Sequence, residues 1–226
     1  MIYYQPTLKT TFVKGEKMAI KDIYQAVLNF NEAGIQDQIK AEIDAGTEVG
    51  ALLNDGLIAA MDTIGERFST GEMFFPEMLL AAQTMSKGME VLKPVLTERK
   101  VAMQGTIVIG TVKGDLHDIG KNLVSMMLEG GGYTVINLGF DIPVEQFIQA
   151  AEDEDVKMIA LSALLTTTMP NMRKVVEILT SKGMRERVKV IIGGAPVTQA
   201  YADEIGADGY GADGPAAVEL TRRLIG

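Results

Sequence analysis

The sequence predicts an α + α/β protein, with an N-terminal four-helix bundle followed by a five-stranded parallel sheet with flanking helices. Three observations predict it. Apolar residues recur at helical spacing through residues 18–92. From Gly105 the period changes to short β-branched runs that alternate with helical stretches. Each run ends in a loop rich in glycine or hydroxyl residues. At 226 residues the chain can hold two compact units, since a typical domain has ~100–150 residues.

Residues 1–17 show no period and are read as a tail. From Ala19 to Phe30 the residues Ile20, Ile23, Tyr24, Val27 and Leu28 mark a first helix, with Gly34 as its stop. Ile35, Ile39 and Ile43 form a second, ending near Gly46, with Thr47 available to cap the next. The third runs from Glu48 to Phe68 on a stripe of Val49, Leu53, Leu57, Ala60, Ile64 and Phe68, and Ser69-Thr70-Gly71 breaks it. A fourth opens at Phe75-Pro76, continues through Met78, Ala82, Met85, Met89 and Leu92, and is expected to end at Pro94. Short turns between these helices predict an antiparallel bundle over 18–92, and residues 93–104 read as a linker.

Residues 105–226 read as the α/β domain. Strands are expected at 105–110, 133–138, 158–162, 188–192 and 208–210, the last one short. Helical stretches follow through Ile119 to Met127, Val144 to Ala151, Met172 to Leu179, Ala200 to Ile205 and Gly214 to Ile225. Right-handed crossovers then give a flavodoxin-like (Rossmann-like) parallel sheet, whose ligands sit beyond the carboxyl ends of the strands.

Composition removes several function classes. Cysteine is absent, so thiolate nucleophiles, disulfides and cysteine-based zinc or iron–sulfur sites are out. His117 is the only histidine, so any imidazole chemistry passes through one ring. A net charge of −9 argues against nucleic acid, whose binding rests on Lys and Arg neutralising phosphates. No apolar run is long enough for a membrane span, and the first residues lack a signal-peptide core, so a cytoplasmic location is expected and no membrane partner.

Three loops at strand ends hold the informative residues. Gly114-Asp115-Leu116-His117-Asp118-Ile119-Gly120 carries the lone imidazole, and Asp115 can accept a hydrogen bond from one ring nitrogen while the other ligates a transition metal. The plainer reading is a surface histidine on a glycine-rich turn, with Asp115 or Asp118 capping the next helix. Ser162 to Met169 offers a run of hydroxyls, suited to a polar ligand, to extending the Asp115–His117 chain or to capping a helix. Gly193-Gly194 permits close approach of something bulky, or is a tight turn.

Taken together the loops are more specific than any one of them. Asp115-x-His117-x-x-Gly120 is followed after 41 residues by Ser162-x-Leu164, and after 28 more by Gly193-Gly194. In order and spacing this resembles the cobalamin-binding domains of corrinoid methyltransferases and base-off mutases, over nearly all of residues 105–226. The resemblance implies a cobalamin or related corrinoid bound base-off, with His117 as lower axial cobalt ligand and the displaced dimethylbenzimidazole tail lined by Ser162, Leu164, Gly193 and Gly194. It further implies cofactor contacts at Gly114, Asp115, Asp118, Ile119, Gly120, Thr166 and Gly211, and a relay His117–Asp115–Thr168 that couples protonation to coordination.

The first domain is similar to the helical cap of cobalamin-dependent methionine synthase and of methyl-carrying corrinoid proteins. Gly71-Glu72-Met73-Phe74-Phe75-Pro76-Glu77 carries that likeness. Phe74 is the expected upper-face contact, and for Met85 ordinary core packing is the preferred reading. Apart from its tail, the chain resembles the corrinoid subunits of methylamine, methanol and methoxy-aromatic methyltransferase systems. Such a subunit accepts a methyl group on cobalt(I) from a substrate-specific methyltransferase. It passes the group from methyl-cobalt(III) to a second methyltransferase that accepts it on a pterin or thiol. A reductive activase is a further expected partner, and little turnover is expected from the subunit alone. The linker 93–104 is the expected hinge for opening the cap.

Three other readings compete. A cobalamin-dependent regulator would need a DNA-reading segment that this acidic chain lacks. A mutase subunit would share His117 but lack the cap. A phosphoacceptor or flavin-type signalling domain could use the same fold, and corrin absorption bands would separate it from the others.

Overall fold

The computed structural model describes residues 14–226. Of the expected tail, residues 1–13 lie outside the described residues. Residues 14–17 are helical instead, because α1 spans Lys14–Leu28.

Helix α2 is Glu32–Asp44, with Asn31 accepting the Gly34 N–H at its start. The third rod is not a uniform α-helix. Short α3 (Val49–Ala51), capped by the Glu48 carboxylate, passes into a π-wound segment, Leu52–Ile58, and then into α4 (Ala59–Ser69). The wider winding buries Leu52, Leu53, Gly56, Leu57 and Ile58 together, and Gly56 allows Ile23 of α1 to approach closely.

Helix α5 spans Phe75–Glu98 and runs through Pro94, which corrects the expected end. Proline there removes one helical hydrogen bond, but Leu92 and Leu96 on either side are buried and hold the rod together. Residues 93–98, expected in a linker, are therefore helix.

The α/β part alternates β1 (Thr106–Thr111), α6 (Ile119–Gly130), β2 (Thr134–Asn137), α7 (Val144–Ala151), β3 (Val156–Ser162), α8 (Pro170–Ser181), β4 (Lys189–Gly193), α9 (Gln199–Ile205), β5 (Gly209–Gly211) and α10 (Gly214–Ile225). The strands are parallel, in the order β2-β1-β3-β4-β5. Strand alternation splits their side chains between two cores. Ile107, Ile109, Met158, Ala160 and Ile191 face a core shared with the bundle, α6 and α10, while Val108, Ile159, Leu161, Val190 and Ile192 face α7, α8 and α9.

The bundle thus packs directly on one helical layer of the α/β part. Met61 and Met85 rest on Gly130, at the end of α6, and Asp62 pairs with Arg222 across the junction at 2.6 Å. Among the described residues no helix is long and apolar enough to cross a membrane.

Candidate functional site

At the carboxyl ends of β1 and β3 the chain builds a buried carboxylate and hangs an imidazole from it. Asp115 is fully buried. Its Oδ1 accepts the backbone N–H of His117 at 3.1 Å and lies 2.8 Å from His117 Nδ1. Its Oδ2 accepts the N–H groups of Leu164 at 2.7 Å and Leu165 at 3.1 Å, and the Thr168 hydroxyl lies 2.8 Å away. The hydroxyl is equally close to the Leu165 carbonyl, so its one proton is shared between the two acceptors.

Burial alone would push the Asp115 carboxyl pKa up. The hydrogen bonds from His117, Leu164 and Thr168 outweigh it and hold that pKa well below the usual carboxylate range. Asp115 is therefore an anion that only accepts, and Nδ1 of a neutral His117 must donate to it. The lone pair then sits on Nε2, which makes no hydrogen bond among the described residues.

The loop around this pair is fixed from several sides. The buried Thr111 hydroxyl donates to the His117 carbonyl at 3.0 Å. Asn171 donates to the Lys113 carbonyl at 2.8 Å, and Asp141 accepts the Gly114 N–H at 2.8 Å. Gly114 has φ +85°, a left-handed turn that glycine adopts without a Cβ penalty. The helix-capping readings of these residues fail, while His117 itself is exposed, as the surface reading had it. Asp118 stands at the start of α6 but makes no side-chain cap, bonding Asn122 instead, and the Thr168 hydroxyl turns to Asp115 instead of capping α8.

His117 opens onto a cavity of about 750 Å³ between the bundle and the strand ends, within the range of small-molecule pockets. Its sheet side comprises Ser162, Leu164, Gly193, Gly194, Tyr210 and Gly211. At Gly194, with φ +126°, a Cβ would lie 1.9 Å from the Ala163 carbonyl oxygen, so only glycine lets β4 turn beside β3. Asp118, Ile119 and Gly120 line the near side. Ile119, 73% exposed, and Leu116, 65% exposed, stand beside His117 with their apolar surface uncovered.

Five expected site residues fall outside this lining: Asp115 and Thr168, both buried, reach it only through His117, and three others lie apart from it. Gly114 is a turn residue bonded to Asp141, Thr166 is exposed, and Phe74 is 69% exposed at the start of α5. Phe74 holds the N-cap position, with its backbone N–H bonded to Glu77, and the chain turns its ring away from the cavity. Phe75, Met78 and Phe68 line the bundle side instead. Met85 is fully buried in the core, as the sequence reading preferred.

Two polar residues were not singled out beforehand. Lys121 is 3% exposed and borders the cavity, its Nζ donating at 2.6 Å to both Asn122 Oδ1 and Asn137 Oδ1. Burial pulls its pKa down, opposed by the charge of Asp118. The other is Asp141. Its signal was the turn Gly139-Phe140-Asp141-Ile142-Pro143 at the carboxyl end of β2, the position where the sequence reading looked for ligand loops elsewhere.

The donor set limits what this site can hold. One imidazole supplies one ligand, the sequence has no other histidine and no cysteine, and no cluster of three or more metal-ligating side chains occurs among the described residues. A transition metal bound at Nε2 must arrive with its remaining ligands already in place, as in a macrocycle. The apolar surface of Leu116, Ile119 and Leu164 beside the imidazole suits the face of such a ring.

Comparisons with known proteins identify the family. A family model described as B12 binding domain matches residues 105–219, and a second of the same description matches residues 19–93. Dimethylamine corrinoid protein 1 of Methanosarcina acetivorans is 43% identical over 84% of this chain and 87% of its own length. The structure of a cobalamin-binding protein from Desulfitobacterium hafniense shares 32% identity over 92% of this chain and 98% of that one, with a TM-score of 0.74. That of the methanol:cobalamin methyltransferase complex from Methanosarcina barkeri shares 27% identity over 100% of this chain and 94% of the matched one, with a TM-score of 0.80.

Proposed function

The chain belongs to the corrinoid proteins with a B12 binding domain, and we propose on that premise that it is a methyl carrier whose corrinoid is bound base-off over His117. When bound, the corrinoid supplies a cobalt centre that takes up a methyl group from one methyltransferase and yields it to another. The polypeptide supplies position, exclusion of water and control of one proton. The observation that carries the reading is the His117–Asp115 pair at 2.8 Å on a residue that lines the cavity, with Nε2 unbonded among the described residues.

Asp115 keeps the proton of a neutral His117 on Nδ1 and so keeps Nε2 basic. When the ring is not ligating, Nε2 can hold a proton, and the Asp115 carboxylate compensates that charge. Thr168 steadies the carboxylate through either state by sharing its proton between Oδ2 and the Leu165 carbonyl. The strand ends at Ser162, Leu164, Gly193 and Gly194 receive the displaced tail, since Gly194 leaves the turn there without a side chain. Phe75, Met78 and Phe68 form the apolar roof that keeps water from the upper face.

The substrate-specific methyltransferase, the acceptor methyltransferase using a pterin or thiol, and the reductive activase are the partners this reading requires. Each must displace the bundle roof, which rests on α6 and α10. The test is His117→Gly reconstituted with methylcobalamin. The variant should bind the corrinoid but lose the absorption spectrum of the six-coordinate cofactor seen in the wild type, and lower the methyl-transfer rate. Identical spectra in wild type and variant would remove the ligand assignment.

A further inference from the structure

We propose that Asp141 is a positioning residue for the imidazole, clamping the backbone of the 113–117 loop from the end of β2. The inference rests on the reading of His117 as the axial ligand and extends it to a residue outside the three sequence motifs.

The side chain of Asp115 is anchored on the loop after β3, through Leu164, Leu165 and Thr168. Its backbone is anchored elsewhere. The Asp141 N–H donates to the Asp115 carbonyl at 3.0 Å, and Asp141 Oδ1 accepts the Gly114 N–H at 2.8 Å. Asp141 Oδ2 accepts from Lys113 Nζ at 3.0 Å. One residue therefore contacts three successive residues, Lys113, Gly114 and Asp115, immediately before His117. The neighbouring chain is tied in the same way, with Thr111 N–H bonded to Gly139 O and Ile142 N–H to Thr111 O.

Asp141 achieves this with φ +57°, a left-handed backbone uncommon outside glycine. Aspartate and asparagine are the side chains that tolerate it best, and both can offer an oxygen to Gly114. Holding a residue in that conformation is what turns its carboxylate and its N–H toward the same loop. The Lys113–Asp141 pair is more than a third exposed on both sides, and exposed ion pairs add little to stability. The clamp is therefore expected to act on geometry, with little effect on folding.

The mechanical consequence follows from the double anchoring. With the carboxylate end of Asp115 fixed on the loop after β3, release of the Gly114 N–H by loss of the Asp141 side chain lets the peptide rotate about that fixed end. His117 follows, since it lies two residues along the same backbone and its N–H and Nδ1 both hang from Oδ1, the oxygen that Leu164, Leu165 and Thr168 do not hold. Nε2 then points into the cavity with a spread of directions instead of one.

The test compares Asp141→Asn, which keeps an acceptor for Gly114 and the left-handed backbone, with Asp141→Gly, which keeps only the backbone. Wild type, both variants and His117→Gly are produced with [15N]histidine and loaded with cob(II)alamin. The cobalt EPR signal reports an axial histidine nitrogen, because the label changes its splitting while the unlabelled tail base is unaffected. Asp141→Asn should match the wild type. Asp141→Gly should shift the histidine-on equilibrium about tenfold toward histidine-off, the scale of losing a partner that orients a metal ligand. The thermal midpoints of the apoproteins should stay close together. Full histidine splitting in wild type and Asp141→Gly alike overturns the inference and leaves the ligand reading standing. Equal loss in Asp141→Asn and Asp141→Gly also overturns it, since the retained acceptor would then do nothing. A wild type without histidine splitting overturns the ligand reading and this inference with it.

Discussion

Replacing Asp115 by asparagine changes one oxygen to an NH2 group, and the structure shows why neither orientation of the amide is tolerated well. With the NH2 toward β3, the buried N–H groups of Leu164 and Leu165 both lose their acceptor, and only Thr168 can reverse its hydroxyl. With the NH2 toward His117, only the His117 N–H is stranded, and Nδ1 can become the acceptor if the ring changes tautomer. The second orientation is the cheaper. Stranding that donor costs about 1–3 kcal/mol, and turning the three remaining charge-assisted bonds into neutral ones costs roughly 1 kcal/mol each. Asp115→Asn should therefore fold, with stability lowered by about 4–6 kcal/mol in urea denaturation. The tautomer change matters more than the stability, because the ring proton moves to Nε2 and removes the lone pair from the cavity side. As His117 is the only histidine, a long-range 1H–15N correlation spectrum of the labelled apoprotein at pH 9 reads the tautomer directly. Wild type should carry the proton on Nδ1 and Asp115→Asn on Nε2. The same tautomer in both, or a stability loss well under 1 kcal/mol, would refute the reasoning.

Two further outcomes follow from the same geometry. Gly194→Ala places a methyl group 1.9 Å from the Ala163 oxygen at φ +126°, so it should destabilise the protein by several kcal/mol, ~2–6, and weaken corrinoid binding by displacing the strand ends; a variant with wild-type stability and affinity would contradict this. The Asp115 carboxyl is held below its ordinary range on folding, so its contribution is fully present above the unfolded value near ~3.9 and is lost only as pH falls through the lower folded value. The stability gap between wild type and Asp115→Asn should accordingly persist from about pH 8 down to about pH 5 and close only below about pH 4. A gap that has vanished by pH 6 would mean that Asp115 is not held as an anion.

The sheet was legible in the sequence because its central strands β1, β3 and β4 are short apolar runs largely buried, which leave little ambiguity of period. The bundle was legible in outline but not in detail. Pro94 reads as a helix stop by local rules, and the burial of Leu92 and Leu96 overrides it. The π-wound stretch at Leu52–Ile58 has no local signature in the apolar pattern, and the close approach of Ile23 to Gly56 within it is a tertiary contact that sequence does not display. Asp115, His117 and Thr168 could be found because each lies in a spaced motif, and the structure brings their side chains together. The roof residues could not, because Phe74 and Phe75 are adjacent identical side chains and only the direction in which α5 leaves its cap decides which one faces the cavity. Asp141 lay in an unremarked turn, and its role depends on a backbone angle that sequence does not display.

A crystal structure of the cobalamin-loaded chain tests the ligand assignment most directly. It should show Nε2 of His117 bonded to cobalt, Nδ1 still on Asp115, and the tail base lodged beside Ser162 and Gly194. A tail base still coordinated to cobalt, or a corrin bound away from His117, would contradict the account.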